Sequence, residues 1–183
     1  MNHRRLILIT GMTGSGKTTL ADFFEIQGYR IVTMGDVIRG LAVERGLEPT
    51  PTNIGSLARE IREDGGETAV AERCIEKLRD MPDDGFVVDG IRSMVEVDAF
   101  REAFDVTLVA VHASPETRFR RLRDRGRTDD PADWGAFKAR DRRELGFSLG
   151  WAVALADHMV VNEGTVEDME RSFEALKERL DRA

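Results

Sequence analysis

The residues of this chain best suited to chemistry stand near its start, in Gly11-Met12-Thr13-Gly14-Ser15-Gly16-Lys17-Thr18. The spacing is G-x-x-x-x-G-K-[ST], and each residue type in it has a physical task. Glycines at 11, 14 and 16 let successive backbone N–H groups turn inward and form a concave anion seat. A helix opening at Lys17 puts the positive end of its dipole behind that seat. Lys17 supplies a cation for the outer phosphates of a polyphosphate, and Thr18 a hydroxyl for Mg²⁺. A ligand bound there would touch Gly11, Met12, Thr13, Gly14, Ser15, Gly16, Lys17, Thr18 and the adjoining Thr19.

A second candidate is Asp89, placed after the apolar run Phe86-Val87-Val88. An acid at the end of a strand beside such a loop can hold Mg²⁺ or its water opposite Thr18. Asp89-Gly90 is equally a common turn pair. A third feature is a concentration of charge. From Arg118 to Arg143 there are nine Arg and one Lys against five Asp, in a chain whose formal net charge is −7. Arginine's planar fork grips phosphate oxygens in pairs, and positive charge stabilises phosphoryl transfer. Arg outnumbers Lys 23 to 4 throughout the chain, so composition accounts for part of the cluster.

These residues need a scaffold, and the pattern names one. Leu6–Thr10, Arg30–Thr33, Phe86–Asp89, Val106–His112 and His158–Val161 read as five strands, too continuously apolar to have a wet face. Helix-period segments alternate with them. Lys17 to Gln27 stops at Gly28, and Ile54, Leu57, Ala58 and Ile61 run to Gly65-Gly66. Val70, Cys74, Ile75 and Leu78 form a stripe closed by Pro82-Asp83-Asp84-Gly85, and Val166, Met169, Phe173, Leu176 and Leu180 form another. Ser93 with Glu96 predicts a capping box, while Ser114-Pro115 and Asp130-Pro131 each predict a cap before a first-turn proline. The expected fold is α/β, a doubly wound five-stranded parallel sheet. About fifty residues separate the second strand from the third, so a helical insertion over 34–80 is expected beside the sheet.

Composition narrows the function classes. The 183 residues predict one domain. No stretch nears 18 consecutive apolar residues, so no membrane association is expected. The single Cys74 and three scattered histidines give no disulfide or zinc framework, and a cytoplasmic protein is expected. The acidic balance and a single Tyr speak against a nucleic-acid partner, although RNA binding through the Arg-rich segment stays open.

With these motifs in order, the chain from about Leu6 to Val166 resembles the nucleoside monophosphate kinase branch of P-loop proteins. Within it, the chain is most similar to an archaeal family of adenylate-kinase-related proteins, and it is also similar to dephospho-CoA kinases. Met34-Gly35-Asp36-Val37-Ile38-Arg39 resembles T-G-D-x-x-R, which implies that Asp36 and Arg39 serve the acceptor. Asp89-Gly90-Ile91-Arg92 resembles D-G-F-P-R with one residue missing and no proline, and implies a second acceptor clamp at Arg92. The run from Arg121 to Asp130 resembles a short lid, R-L-x-x-R…G-R-x-D-D with residues deleted. That likeness implies catalytic roles for Arg121, Arg125, Arg127 and, on the next helix, Arg140, beside Lys17, with 118–143 as the lid segment. Asn162-Glu163-Gly164 resembles the loop that backs the adenine in dephospho-CoA kinases, implying ATP contacts at Asn162 and Gly164. The implied activity is ATP- and Mg²⁺-dependent transfer of the γ-phosphoryl to a small nucleotide or nucleotide-like acceptor. Dephospho-CoA as the acceptor, or a P-loop ATPase switch with none, are the alternatives; the sequence does not set the oligomeric state.

Overall fold

The computed structural model describes residues 5–82, 85–127, 130–146 and 148–182. Asp83 and Asp84 of the expected turn, and Thr128 and Asp129 of the Arg-rich element, lie outside the described residues. Strands β1 (Arg5–Thr10), β2 (Arg30–Thr33), β3 (Gly85–Ile91), β4 (Asp105–His112) and β5 (His158–Val161) form one parallel sheet in the order β2-β3-β1-β4-β5. Period-two alternation splits their side chains between two cores. Leu6, Leu8, Phe86 and Val88 enter one, and Ile7, Ile9 and Val87 the other.

Helices α1 (Lys17–Ile26) and α9 (Val166–Leu180) cover the second core through Leu20, Phe24, Phe173 and Leu176. On the opposite face lie α2 (Met34–Glu44), α3 (Pro51–Gly65), α4 (Ala69–Arg79) and α5 (Met94–Arg101), burying Val37, Leu57, Cys74 and Phe100. The chain after β1 therefore leaves for one face and the chain after neighbouring β3 for the other. Such a divergence opens a crevice at the carboxyl ends of the two strands. Three helices do fill the interval between β2 and β3, as its length predicts.

Three local expectations are corrected. Strand β3 does not end at Asp89 but continues to Ile91, because Gly90, with φ 101°, lets the register step from Ile9–Asp89 to Thr10–Ile91. The Ser93 hydroxyl accepts from the Glu96 amide at 3.2 Å, yet the Glu96 carboxylate accepts from Arg92 N–H at 2.8 Å and pairs with Arg62, so the capping box is half made. Asp130 does not cap a helix at Pro131. The next helix, α7 (Trp134–Leu145), is capped by Asp133 from Ala136 N–H at 2.8 Å, and Asp130 instead accepts from Arg127 N–H.

Helices α6 (Pro115–Arg125) and α7 pack through Phe119, Trp134 and Phe137, with the Arg118 guanidinium 4.9 Å from the Phe137 ring. Arg118 is 3% exposed. It grips Asp141 with two nitrogens, at 2.8 and 2.6 Å, and donates to the carbonyls of Ala113 and Thr13. One arginine of the basic segment is thus a core strut. Removing it strands a carboxylate in a half-buried place, a loss that costs about 3–5 kcal/mol. Arg118→Met is expected to lower the melting temperature by about 10 °C, read by differential scanning fluorimetry. A drop under about 2 °C would contradict the assigned role.

Candidate functional site

The loop joining β1 to α1 lies at the crevice, and its backbone is set by how closely it passes its neighbours. Gly11 has φ 143°, and a Cβ there would stand 2.3 Å from the Val111 carbonyl oxygen. Gly16 has φ 104°, and its Cβ would meet Asn162 Nδ2 at 2.2 Å. The buried Asn162, in the turn after β5, donates from Nδ2 to Ser15 O at 2.8 Å. Both glycines are sterically required, and the loop is clamped from two sides.

Lys17 Nζ donates to Gly11 O at 2.8 Å and Met12 O at 3.2 Å. Burial holds the ammonium's pKa below its ordinary value, against the opposing pull of Asp89 and Glu144. Burial likewise pushes the Asp89 carboxyl up, with Lys17 and the Gly90 amide pulling the other way. Asp89 Oδ1 is buried and has no hydrogen-bond partner among the described residues. A desolvated carboxylate oxygen left unpaired beside a lysine fits a cation, with the exposed Thr18 hydroxyl at the head of α1 as a second oxygen.

The mouth of the loop is a cavity of about 70 Å³ touching Thr13, Lys17, Gly90, Arg92 and Glu144. A second cavity of about 930 Å³ lies between α3 and α7, and Arg92 and Glu144 line both. Five arginines face the larger space: Arg59 and Arg62 from α3, Arg92 after β3, and Arg140 and Arg143 from α7. Arg62 is paired with Glu96 at 3.2 Å, and Arg140 Nε bonds Glu144 at 3.2 Å. Arg59, Arg92 and Arg143 have no ion pair among the described residues. Side chains of one helix turn share a face, which is how 59 with 62, and 140 with 143 and 144, come together.

The residues expected from sequence divide accordingly. Gly11, Met12, Thr13, Gly14, Ser15 and Gly16 form the loop, Lys17, Thr18 and Thr19 open α1, Arg92 lines the cavity at the loop, and Asp89 interacts electrostatically with Lys17. Asp36 and Arg39 are elsewhere in their contacts: they pair with each other at the start of α2, with Thr33 as a third partner, and neither lines either cavity. Arg121 bonds Asn162 O, Asn162 Oδ1 and Gly164 O at 2.9–3.1 Å, fixing the turn after β5. Arg125 is paired with Asp130, and Arg127 is exposed. Of the four lid arginines only Arg140 lines the arginine cavity. Sequence reading missed Arg59, Arg62, Arg143 and Glu144. The i, i+3 and i, i+4 spacing on α3 and α7 was the available signal, lost within a chain rich in arginine.

Among the described residues no helix is long and apolar enough to cross a membrane. A family model described as an AAA domain matches residues 7–144. A UPF0200 protein of Hyperthermus butylicus is 47% identical over 178 residues, covering 97% of this chain and 96% of that protein. A UPF0200 protein of Methanocaldococcus jannaschii is 48% identical over 165 residues, covering 89% and 84%. Among solved structures, TT1252 from Thermus thermophilus superposes with a TM-score of 0.62 at 21% identity over 98% of this chain and 99% of that one. Shikimate kinase from Bacteroides thetaiotaomicron does so with a TM-score of 0.60 at 17% identity, covering 97% and 98%. The two structures share the fold, an α/β P-loop kinase fold with an all-parallel five-stranded sheet. On sequence identity over nearly its whole length, the chain belongs to the UPF0200 family of P-loop proteins.

Proposed function

We propose that this protein is an ATP- and Mg²⁺-dependent phosphotransferase that moves the γ-phosphoryl group to a nucleotide or nucleotide-like acceptor. The observation that carries the reading is a second, larger cavity that shares Arg92 and Glu144 with the one at the glycine loop. That larger cavity is lined by five arginines against three glutamates, Glu63, Glu67 and Glu144, room and a net positive charge for an anionic acceptor beside the donor. A pure ATPase switch needs no such second chamber.

In this reading the backbone amides of 13–18 and Lys17 hold the donor's phosphates, and the turn fixed by Arg121, with Asn162 and Gly164, flanks the base. Mg²⁺, held by Thr18 and Asp89, would neutralise charge on the phosphates when bound. Lys17 leaves its carbonyl partners for phosphate oxygens. Being desolvated already, it acts at full electrostatic strength and reorganises little water. Arg92, Arg140 and Arg143 orient the acceptor and stabilise charge on the transferring group, with Arg59 and Arg62 holding its far end. The acceptor region is thus the α3–α7 chamber, with the 34–80 helices as its wall and the Arg-rich segment as its cover. Asp36 and Arg39 serve the acceptor only if α2 turns inward.

A coupled assay across nucleoside monophosphates and dephospho-CoA tests the class. Turnover on one of them supports it, and ATP consumption that no acceptor accelerates would overturn it. Lys17→Ala is expected to cut turnover by about 10²–10³-fold with an unchanged circular dichroism spectrum; activity within a factor of about three of wild type would refute the role of Lys17. Asp89→Asn is expected to keep or raise the ligand-free melting temperature, because it removes a buried, incompletely paired charge. The same variant should lose the strengthening of ATP binding by Mg²⁺. Undiminished Mg²⁺ dependence in that variant would remove Asp89 from the metal site.

A further inference from the structure

One carboxylate stands where the proposed reaction has no room for it. Glu144 Oε2 accepts from the Thr13 backbone N–H at 3.0 Å, and its other oxygen accepts from the Thr13 hydroxyl. Thr13 belongs to the phosphate seat itself, and Glu144 lies on α7, 131 residues away in sequence. We propose that Glu144 is a resident anion in the donor's seat, occupying the Thr13 amide and hydroxyl that the terminal phosphate of a nucleoside triphosphate must take, and that it is expelled when that phosphate binds. The inference rests on the phosphotransferase reading.

Electrostatics supplies the reason for the contact. A concave ring of amides, the positive end of α1 and the Lys17 ammonium make a site that attracts negative charge, and a carboxylate is the nearest side-chain equivalent of a phosphate edge. Glu144 is charged in place: burial raises its pKa, but the Thr13 hydroxyl, the Thr13 amide and Arg140 outweigh burial and hold it below the usual value. A fixed negative charge of this kind and a phosphate cannot share one amide. The contact is also superfluous as a prop. Arg118 already ties α7 to the same loop, through Asp141 one turn earlier and the Thr13 carbonyl.

Position identifies which phosphate competes. The amides of Gly16, Lys17 and Thr18 lie at the helix end of the loop, whereas Thr13 is held by Glu144, a residue that also lines the arginine cavity. Transfer to an acceptor held in the arginine cavity requires the terminal phosphate to face that cavity, so Glu144, which lines it, opposes the third phosphate and leaves the first two alone. Arg140, whose Nε is bonded to the same carboxylate, loses that bond in the same movement and gains phosphate within reach.

The test is a ratio of affinities, which a merely structural effect would not move. Dissociation constants for Mg²⁺·AMP-PNP and Mg²⁺·ADP are measured calorimetrically for the wild type and Glu144→Gln. Losing one charge-assisted competitor is expected to shift the ratio about tenfold in favour of the triphosphate analogue, with ADP nearly unchanged. Glu144→Asp, which keeps the charge but withdraws it by one methylene, should shift the ratio the same way and serves if the Gln variant does not fold. An unchanged ratio, or one shifted toward ADP, overturns the inference while the phosphotransferase reading stands. Failure of the wild type to bind either nucleotide overturns both.

Discussion

The structure depends on one close approach. Between β1 and α1 the backbone runs so near the Val111 carbonyl and the Asn162 amide that a side chain at Gly11 or Gly16 would overlap a neighbour. Packing therefore fixes the direction in which the loop's N–H groups point, before any ligand arrives. Such preorganisation is what makes a set of weak amide dipoles effective against a polyphosphate, because no reorientation has to be paid for on binding. The two clamps come from β4 and from the turn after β5, so the seat inherits the rigidity of the sheet itself.

The basic segment shows how one residue type takes on different tasks according to what surrounds it. Arg118 is buried, matched to Asp141 and unavailable to any ligand. Arg121 and Arg125 hold the turn after β5 and Asp130 respectively. Arg140 and Arg143 face a cavity together with arginines from α3 and from the residue that follows β3. Charge density along the sequence therefore overstates the charge that reaches the cavity, and the cavity gains its character from segments that are distant in sequence.

Much of this was legible beforehand. All five strands, the opening of α1 at Lys17 and the three helices after β2 follow from apolar runs, helical spacing and the glycines that end each segment. The glycine loop between β1 and α1 was legible because its residues are contiguous and their types are dictated by backbone geometry. Asp130 was misplaced as a cap because Asp-Pro and Asp133-Trp134 offer equal local signals, and the competition was settled by Arg125 and Arg127 drawing Asp130 away. The α3 arginines left only a helical spacing lost among many arginines, and the contact of Glu144 with Thr13 left no local mark, since it is made by tertiary packing alone. Asp36 and Arg39 match a motif, and in the structure they pair with each other across one turn of α2. The short α8 (Leu149–Ala154) was likewise hidden, its six residues too few to show a period.

Calorimetric titration of the purified chain with Mg²⁺·ATP tests the central claim most directly. A preorganised amide seat with a desolvated lysine predicts saturable one-site binding with a dissociation constant in the micromolar range, weakened when Mg²⁺ is withdrawn. Absence of measurable binding at millimolar Mg²⁺·ATP by a correctly folded sample would contradict it.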